Sequence, residues 1–201
     1  GLTSITIPDS VTSIGSDAFL GCTGLTSVVI GNGVESIDYR TFGRCTRLTS
    51  ITIPDSVTYI GWDAFIYCTR LTSITIPDSV AYIGWDAFTG CTSLDYNEYN
   101  NAYYLGNSSN PYVVLVKEKD TSITSCKIHE DTKIICPHAF KDCTGLVSIT
   151  IPDSVKRISD YAFDDCTRLK SVVIGNGVTS IGSSAFSGCT GLASVVIGNS
   201  V

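Results

Sequence analysis

A strand-dominated solenoid, one coil of 23-residue repeats with a parallel sheet along one face, is the fold class that three observations in this sequence predict. All seven Phe stand three residues before a Cys: Phe19/Cys22, Phe42/Cys45, Phe65/Cys68, Phe88/Cys91, Phe140/Cys143, Phe163/Cys166 and Phe186/Cys189. Short apolar alternations, such as Ile5 and Ile7, recur at the same interval. In seven units the alternation ends in Pro or Gly, followed in six of them by Asp-Ser or Asn-Gly. A catalytic residue would appear once; residues that return every 23 positions have a repeated structural task.

Aligned on leucine, the units run 2–24, 25–47, 48–70 and 71–93, then 123–145, 146–168 and 169–191, with a partial unit at 192–201. Together they form a single repeat domain, 1–201. Within the first unit, Ser4 to Ile7 alternates as a strand with Ile5 and Ile7 on one face. Pro8 ends that strand, because proline has no N–H to donate to a ladder. Asp9-Ser10 supplies turn chemistry, and Val11 with Ile14 brings the chain back inward. Ala18 beside Phe19 marks a tight turn, read as helical or 3₁₀.

One such turn cannot bury its own apolar side chains, so successive turns must stack and each inward position becomes a column. Phe fills the wide end of the cross-section, and Cys, a small and commonly buried residue, fills the space beside it. A ladder of disulfides is the rival reading of the cysteines, since stacked strands lie about 4.8 Å apart. Equivalent side chains on stacked turns point in parallel, however, and nine cysteines cannot all pair.

Composition excludes several functions. Thirteen basic against nineteen acidic residues give a net charge of −6, with no basic footprint for nucleic acid or anionic lipid. No apolar run approaches the roughly 20 residues of a membrane span. The chain opens and closes within the repeat pattern and has no Met, which reads as a segment of a longer protein.

Residues 94–122 depart from the pattern. "NAYYLGN" and "YVVLVKEKD" flank Asn107-Ser108-Ser109-Asn110-Pro111 and read as a β-hairpin with a polar turn. The unit after it is degenerate but in register, with Ile123, Cys126, Ile128, Ile135, Phe140 and Cys143 in the inward columns. Cys136 stands where a turn glycine is usual.

No constellation for catalysis or metal binding emerges. His129 and His138 fall in the degenerate unit near Cys126, Cys136 and Cys143, without C-x-x-C or H-x-x-x-H spacing, and both are expected to point outward. The acidic column Asp9, Asp55, Asp78 and Asp153 reads more simply as turn capping than as a Ca²⁺ site. No catalytic residue, metal or cofactor is expected.

Two surfaces remain. The sheet face carries Ser4, Ser27, Ser50, Ser73, Ser148 and Ser171 beside Thr6, Thr52, Thr75 and Thr150, a small polar ladder. Repeat position 15 carries Tyr39, Trp62 and Trp85 on adjacent turns, with Tyr59, Tyr82 and Tyr67 nearby. These six aromatics are the candidate partner-binding residues, because a large exposed aromatic patch commonly marks an interface. The competing reading is that the rings lie flat over neighbouring turns as packing.

The I-x-I-P-x-x-V-x-x-I-x-x-x-A-F-x-x-C core resembles the BspA-like, or Treponema-type, leucine-rich repeats over all of the chain except about 94–122. The resemblance implies an α/β leucine-rich-repeat solenoid, strand-dominated: a right-handed curved coil with short helical or 3₁₀ turns opposite the sheet, interrupted by a β-hairpin. It also implies a bacterial surface or secreted protein that adheres to host extracellular-matrix proteins, cell-surface proteins or other cells. A structural spacer without its own ligand, and a carbohydrate-binding surface, are the alternatives. Near-identity of the units favours the spacer, whereas variation concentrated in residues 39–85 and in the insertion favours binding.

Overall fold

Period-two alternation and a chain break at proline or glycine together dictate very short strands, and the computed structural model, which describes residues 1–200, shows them. It falls into two compact units, Gly1–Asp95 and Tyr96–Val201.

In Gly1–Asp95 the strands are β1 (Ser4–Ile7), β2 (Ser13–Ile14), β3 (Ser27–Ile30), β4 (Ser36–Ile37), β5 (Ser50–Thr52), β6 (Tyr59–Ile60), β7 (Ser73–Thr75) and β8 (Tyr82–Ile83). They form two parallel sheets, β1-β3-β5-β7 and β2-β4-β6-β8. Register follows the repeat: Ser4 pairs with Ser27, Ser50 with Ser73, and Ile37 with Ile60.

In Tyr96–Val201 the strands are β9 (Asn97–Tyr99), β10 (Ala102–Leu105), β11 (Val114–Glu118), β12 (Ile134–Ile135), β13 (Ser148–Ile151), β14 (Arg157–Ile158), β15 (Ser171–Ile174), β16 (Ser180–Ile181) and β17 (Ser194–Ile197). β13-β15-β17 is a parallel sheet, and the other is a mixed sheet in the order β16-β14-β12-β11-β10-β9. The expected hairpin is β10 with β11, antiparallel across the polar turn, where Asn107 Oδ1 accepts the N–H groups of Ser109 and Asn110 at 2.9 Å. A second tight turn joins β9 to β10 through Asn100 and Asn101, both at positive φ, the signature of a type I′ hairpin. β11 then continues the parallel ladder, with Val114 opposite Ile134 and Leu115 opposite Ile135. The insertion is thus a modified solenoid turn carrying an extra antiparallel ribbon.

The core consists of the expected columns. Phe19, Phe42, Phe65 and Phe88 stack in one unit, and Phe140, Phe163 and Phe186 in the other, with centroids 5.0–6.0 Å apart and planes within 11°. Burying a side chain of this size contributes about 1.5–3 kcal/mol. The degenerate unit keeps its inward columns, since Ile123, Cys126, Ile128, Ile135, Phe140 and Cys143 are all buried.

The helical or 3₁₀ turns are replaced by irregular turns; no helix occurs among the described residues. The reason is a pair of left-handed residues in every full repeat. Repeat position 16 (Asp17, Arg40, Asp63, Asp86, His138, Tyr161, Ser184) has φ between 49° and 59°. Position 20 (Gly21, Arg44, Tyr67, Gly90, Asp142, Asp165, Gly188) has φ between 55° and 76°. Each reversal breaks a helical ladder before it can start. Where the turn after the strand is Asn-Gly, the chain closes tightly on the turn before. A Cβ on Gly33 would lie 1.8 Å from the Asp9 carbonyl oxygen, and one on Gly177 1.6 Å from that of Asp153.

The cysteines are free thiols; Cys22 and Cys189 are half-buried and the other seven buried. Beyond filling space, the thiols of the repeat column hydrogen-bond. Cys45 donates its S–H to the carbonyl of Phe19, Cys68 to Phe42, Cys91 to Phe65, Cys166 to Phe140 and Cys189 to Phe163, at 3.0–3.2 Å. Those phenylalanine carbonyls also accept the backbone N–H three residues on, as Phe42 does from Cys45. The thiol therefore serves the second lone pair of a carbonyl facing the core. Burial pushes the Cys45 thiol up to about 12, which keeps it protonated and able to donate.

Candidate partner-binding surface

Tyr39, Trp62 and Trp85 follow the second sheet of Gly1–Asp95 by two residues, while Tyr59 and Tyr82 lie within it, in β6 and β8. The side chain of Ile60 points into the core, so its neighbour Tyr59 must point away. Trp62 is 50% exposed, Tyr67 46%, Tyr39 38% and Tyr59 37%, while Tyr82 and Trp85 are half-buried.

The rings brace one another. Trp62 stacks on Trp85 with centroids 5.8 Å apart, and Tyr59 on Tyr82 at 4.9 Å with planes 4° apart. The Trp62 indole N–H donates to the Tyr82 hydroxyl at 2.9 Å, tying the two stacks together. Burial, then the neighbouring Tyr82 and Asp38, hold the Tyr59 phenol above its usual range. Tyr39 and Tyr67 are faced by cations instead: the Arg40 guanidinium lies 4.4 Å from the Tyr39 centroid and that of Arg44 5.8 Å from Tyr67.

Glycines make room for this arrangement. A Cβ on Gly84 would fall 2.3 Å from Trp62 Cδ1, and one on Gly90 the same distance from Tyr67 Cδ1. Sequence reasoning missed these two residues, together with Arg40 and Arg44. The signal was a glycine 22 positions after Trp62 and another 23 positions after Tyr67, one turn further along the coil. Tyr59, Trp62 and Tyr67 are thus both exposed and packed against the turn that follows, where Tyr82, Trp85 and Gly90 receive them.

The other candidates lie elsewhere. The serines Ser4, Ser27, Ser50 and Ser73 are exposed along β1, β3, β5 and β7, and the ladder is interrupted by Val29 where the neighbouring turns have threonine. Asp9 Oδ1 accepts the Asn32 N–H at 2.7 Å, and Asp153 Oδ1 that of Asn176 at 2.6 Å, so these two carboxylates bridge to the next repeat and do not cap their own turn. His129 is stacked on Tyr112 at 3.9 Å and lies against Tyr99 at 4.8 Å; its Nδ1 accepts the Asp131 N–H. His138 stacks on Tyr161 at 5.5 Å. Cys126 is buried and donates to the Asn100 carbonyl. Among the described residues no group of three or more His, Cys, Asp or Glu has metal-binding geometry, and no helix is long and apolar enough to cross a membrane.

Parallel ladders repeating every 23 residues, filled by Phe and Cys columns, define the class: a leucine-rich-repeat β-solenoid. The chain belongs to the BspA type leucine rich repeat family, whose profile matches residues 1–110 and 118–201 in six copies. Among solved structures it is similar to a leucine rich repeat protein of T. pallidum, with 26% identity and a TM-score of 0.46 over 94% of this chain. A leucine rich cell surface protein of Faecalibacterium prausnitzii is 25% identical with a TM-score of 0.37 over 98% of this chain. The chain spans 64% of the first of these proteins and 79% of the second. No curated protein matches it.

Proposed function

We propose that this chain is a non-enzymatic, protein-binding segment of a bacterial cell-surface or secreted protein, and that it adheres to a host matrix or cell-surface protein through the aromatic surface of Gly1–Asp95. The carrying observation is that Tyr59, Trp62 and Tyr67 are exposed on one turn while braced by stacking on Tyr82 and Trp85 and by the close approach of Gly84 and Gly90, with Tyr39 exposed on the turn before under the Arg40 guanidinium. Rigid aromatic anchors lose little entropy on binding, and each contributes on the order of 2 kcal/mol when covered.

The stacking weighs against the carbohydrate reading, because Trp62 with Trp85 and Tyr59 with Tyr82 each use one ring face on the other, which leaves less open face for a sugar. The test is the folded Trp62→Ala/Trp85→Ala double variant, compared with the parent chain against an extracellular-matrix panel, a glycan array and bacterial cells. Loss of protein binding is expected. Unchanged binding would reject this surface and turn attention to residues 94–122, and a parent chain that binds nothing would favour a spacer.

A further inference from the structure

The polar turn of the insertion is held by a closed ring of four contacts, all within Tyr96–Val201. The His129 imidazole stacks on the Tyr112 ring, with centroids 3.9 Å apart and planes 20° apart. The Tyr112 N–H donates to Asn110 Oδ1 at 3.0 Å, and Asn110 Nδ2 donates to the Asp131 carbonyl at 3.0 Å. The Asp131 N–H closes the ring on His129 Nδ1 at 3.2 Å. Asn110 also closes the turn itself: its N–H donates to Asn107 Oδ1 and its carbonyl accepts the Asn107 N–H, both at 2.9 Å. Asn110 is buried, and a buried amide left unpaired is costly, so the ring fixes the turn.

One member of this ring can change its role. Nδ1 accepts a hydrogen bond, so the neutral imidazole carries its hydrogen on Nε2. A proton taken up at Nδ1 turns that acceptor into a donor facing another donor, the Asp131 N–H. A partner for the new N–H is already at hand, because Asp131 Oδ2 lies 3.7 Å from Nδ1. The Tyr112 ring, at 3.9 Å, is within cation–π range of an imidazolium. The other titratable groups around His129 are neutral or paired. Tyr99 lies edge-on at 4.8 Å, and burial pushes up the Tyr104 phenol, which accepts the His129 backbone N–H at 3.4 Å. Burial also pushes the Cys126 thiol up to about 12, while Lys127 and Glu130 pair with each other at 3.6 Å. His129 thus has two sets of partners: neutral, it holds the Asp131 backbone; charged, it holds the Asp131 carboxylate. Its side chain is 23% exposed, which lets it exchange protons with solvent.

We propose that His129 is a pH-sensitive latch on the polar turn 107–111, closed while its imidazole is neutral and released when Nδ1 is protonated. Release starts at the Asp131 N–H, passes through the Asp131 carbonyl to Asn110, and loosens the turn that Asn110 closes. Imidazole is the side chain whose charge ordinarily changes between about pH 5 and 8, and that is the interval to scan.

Nuclear magnetic resonance of the ¹⁵N-labelled full chain reads every member of the ring. The His129 ring should carry hydrogen on Nε2 alone at about pH 8 and on both nitrogens at about pH 5. Exchange of the Asp131 N–H, corrected for the intrinsic effect of pH, should quicken by about tenfold across that range, which is the worth of one hydrogen bond. The Asn110 side-chain amide and the Tyr112 N–H should shift with the same midpoint as the ring. His129→Gln, which cannot titrate, should abolish these responses, while His138→Gln, which removes the only other imidazole, should keep them. Far-UV circular dichroism checks that both variants fold; if His129→Gln does not, the coincidence of midpoints in the parent chain decides. A His129 ring that titrates while Asp131, Asn110 and Tyr112 stay unchanged would overturn the latch. So would hydrogen on Nδ1 at the alkaline end, or responses that survive His129→Gln.

Discussion

The two units use the same residue type in opposite ways. In Gly1–Asp95 the tyrosines stand outside: Tyr39, Tyr59 and Tyr67 are exposed, while the inward columns hold Phe, Cys and aliphatic side chains. In Tyr96–Val201 five of the ten tyrosines fall at the broken turn, and Tyr104 is wholly buried, with Tyr112 edge-on at 5.5 Å and Tyr99 at 6.5 Å. The difference follows from the columns. Where the repeat is intact, every inward place is taken and an additional ring must go outside. Residues 94–122 contain no Phe, and Tyr104 fills core space that the repeat leaves open. Glu118 shows the same break: its N–H donates to the Ala139 carbonyl, a bond that Phe42 makes to Ala64 in the intact coil. Aromatic exposure is therefore a property of column occupancy, not of tyrosine or tryptophan as such.

The comparison breaks most visibly at the Phe column. Phe65 is sandwiched between Phe42 and Phe88, so Phe65→Ala should cost about 3–5 kcal/mol. Phe186, half-buried and stacked on Phe163, should cost measurably less on the same change. Chemical denaturation of both variants checks this, and equal losses would contradict stacked columns.

Tyrosine is the sharper case. Tyr104→Ala removes a buried ring and should cost about 3 kcal/mol, whereas Tyr59→Ala on the outer face should cost under about 1 kcal/mol. The same denaturation measurement applies, and similar costs would erase the distinction between the units. Between these lies Gly84→Ala, expected to cost about 1–3 kcal/mol, because its Cβ would sit 2.5 Å from the Trp62 backbone nitrogen as well as against the ring. A shifted tryptophan emission should accompany that loss.

The smallest effect is electrostatic. Burial holds the Glu118 carboxyl above its ordinary range, so the charged form opposes folding once the pH rises through its folded value. Glu118→Gln should therefore stabilise the chain at neutral pH by under about 1 kcal/mol, since solvent screens a half-buried group. The gain should vanish as the pH falls below about 4, where the carboxyl is protonated in folded and unfolded chains alike. Thermal melts of parent and variant across that range measure it.

Most of this architecture was legible because repetition marks columns directly: the seven Phe/Cys pairs, the strand ends at Pro8 and Gly31, and the β10–β11 hairpin follow from periodicity and turn chemistry. The left-handed backbone at positions 16 and 20 was not, because position 16 holds Asp, Arg, His, Tyr or Ser and lacks the glycine that would announce positive φ. Nor did sequence show that the Cys column donates to Phe carbonyls, since spacing identifies a buried place but not an acceptor with an open lone pair. At the aromatic surface the exposed positions were readable, while the cations over Tyr39 and Tyr67 depended on side-chain direction.

Residue-resolved hydroxyl-radical footprinting of the folded chain tests column occupancy most directly, because it reads the exposure of every aromatic side chain in one experiment. Trp62, Tyr67 and Tyr59 should oxidise rapidly, with Tyr104 and Phe65 protected until the chain unfolds. Oxidation of Tyr104 as fast as Trp62 in the folded protein would contradict the account.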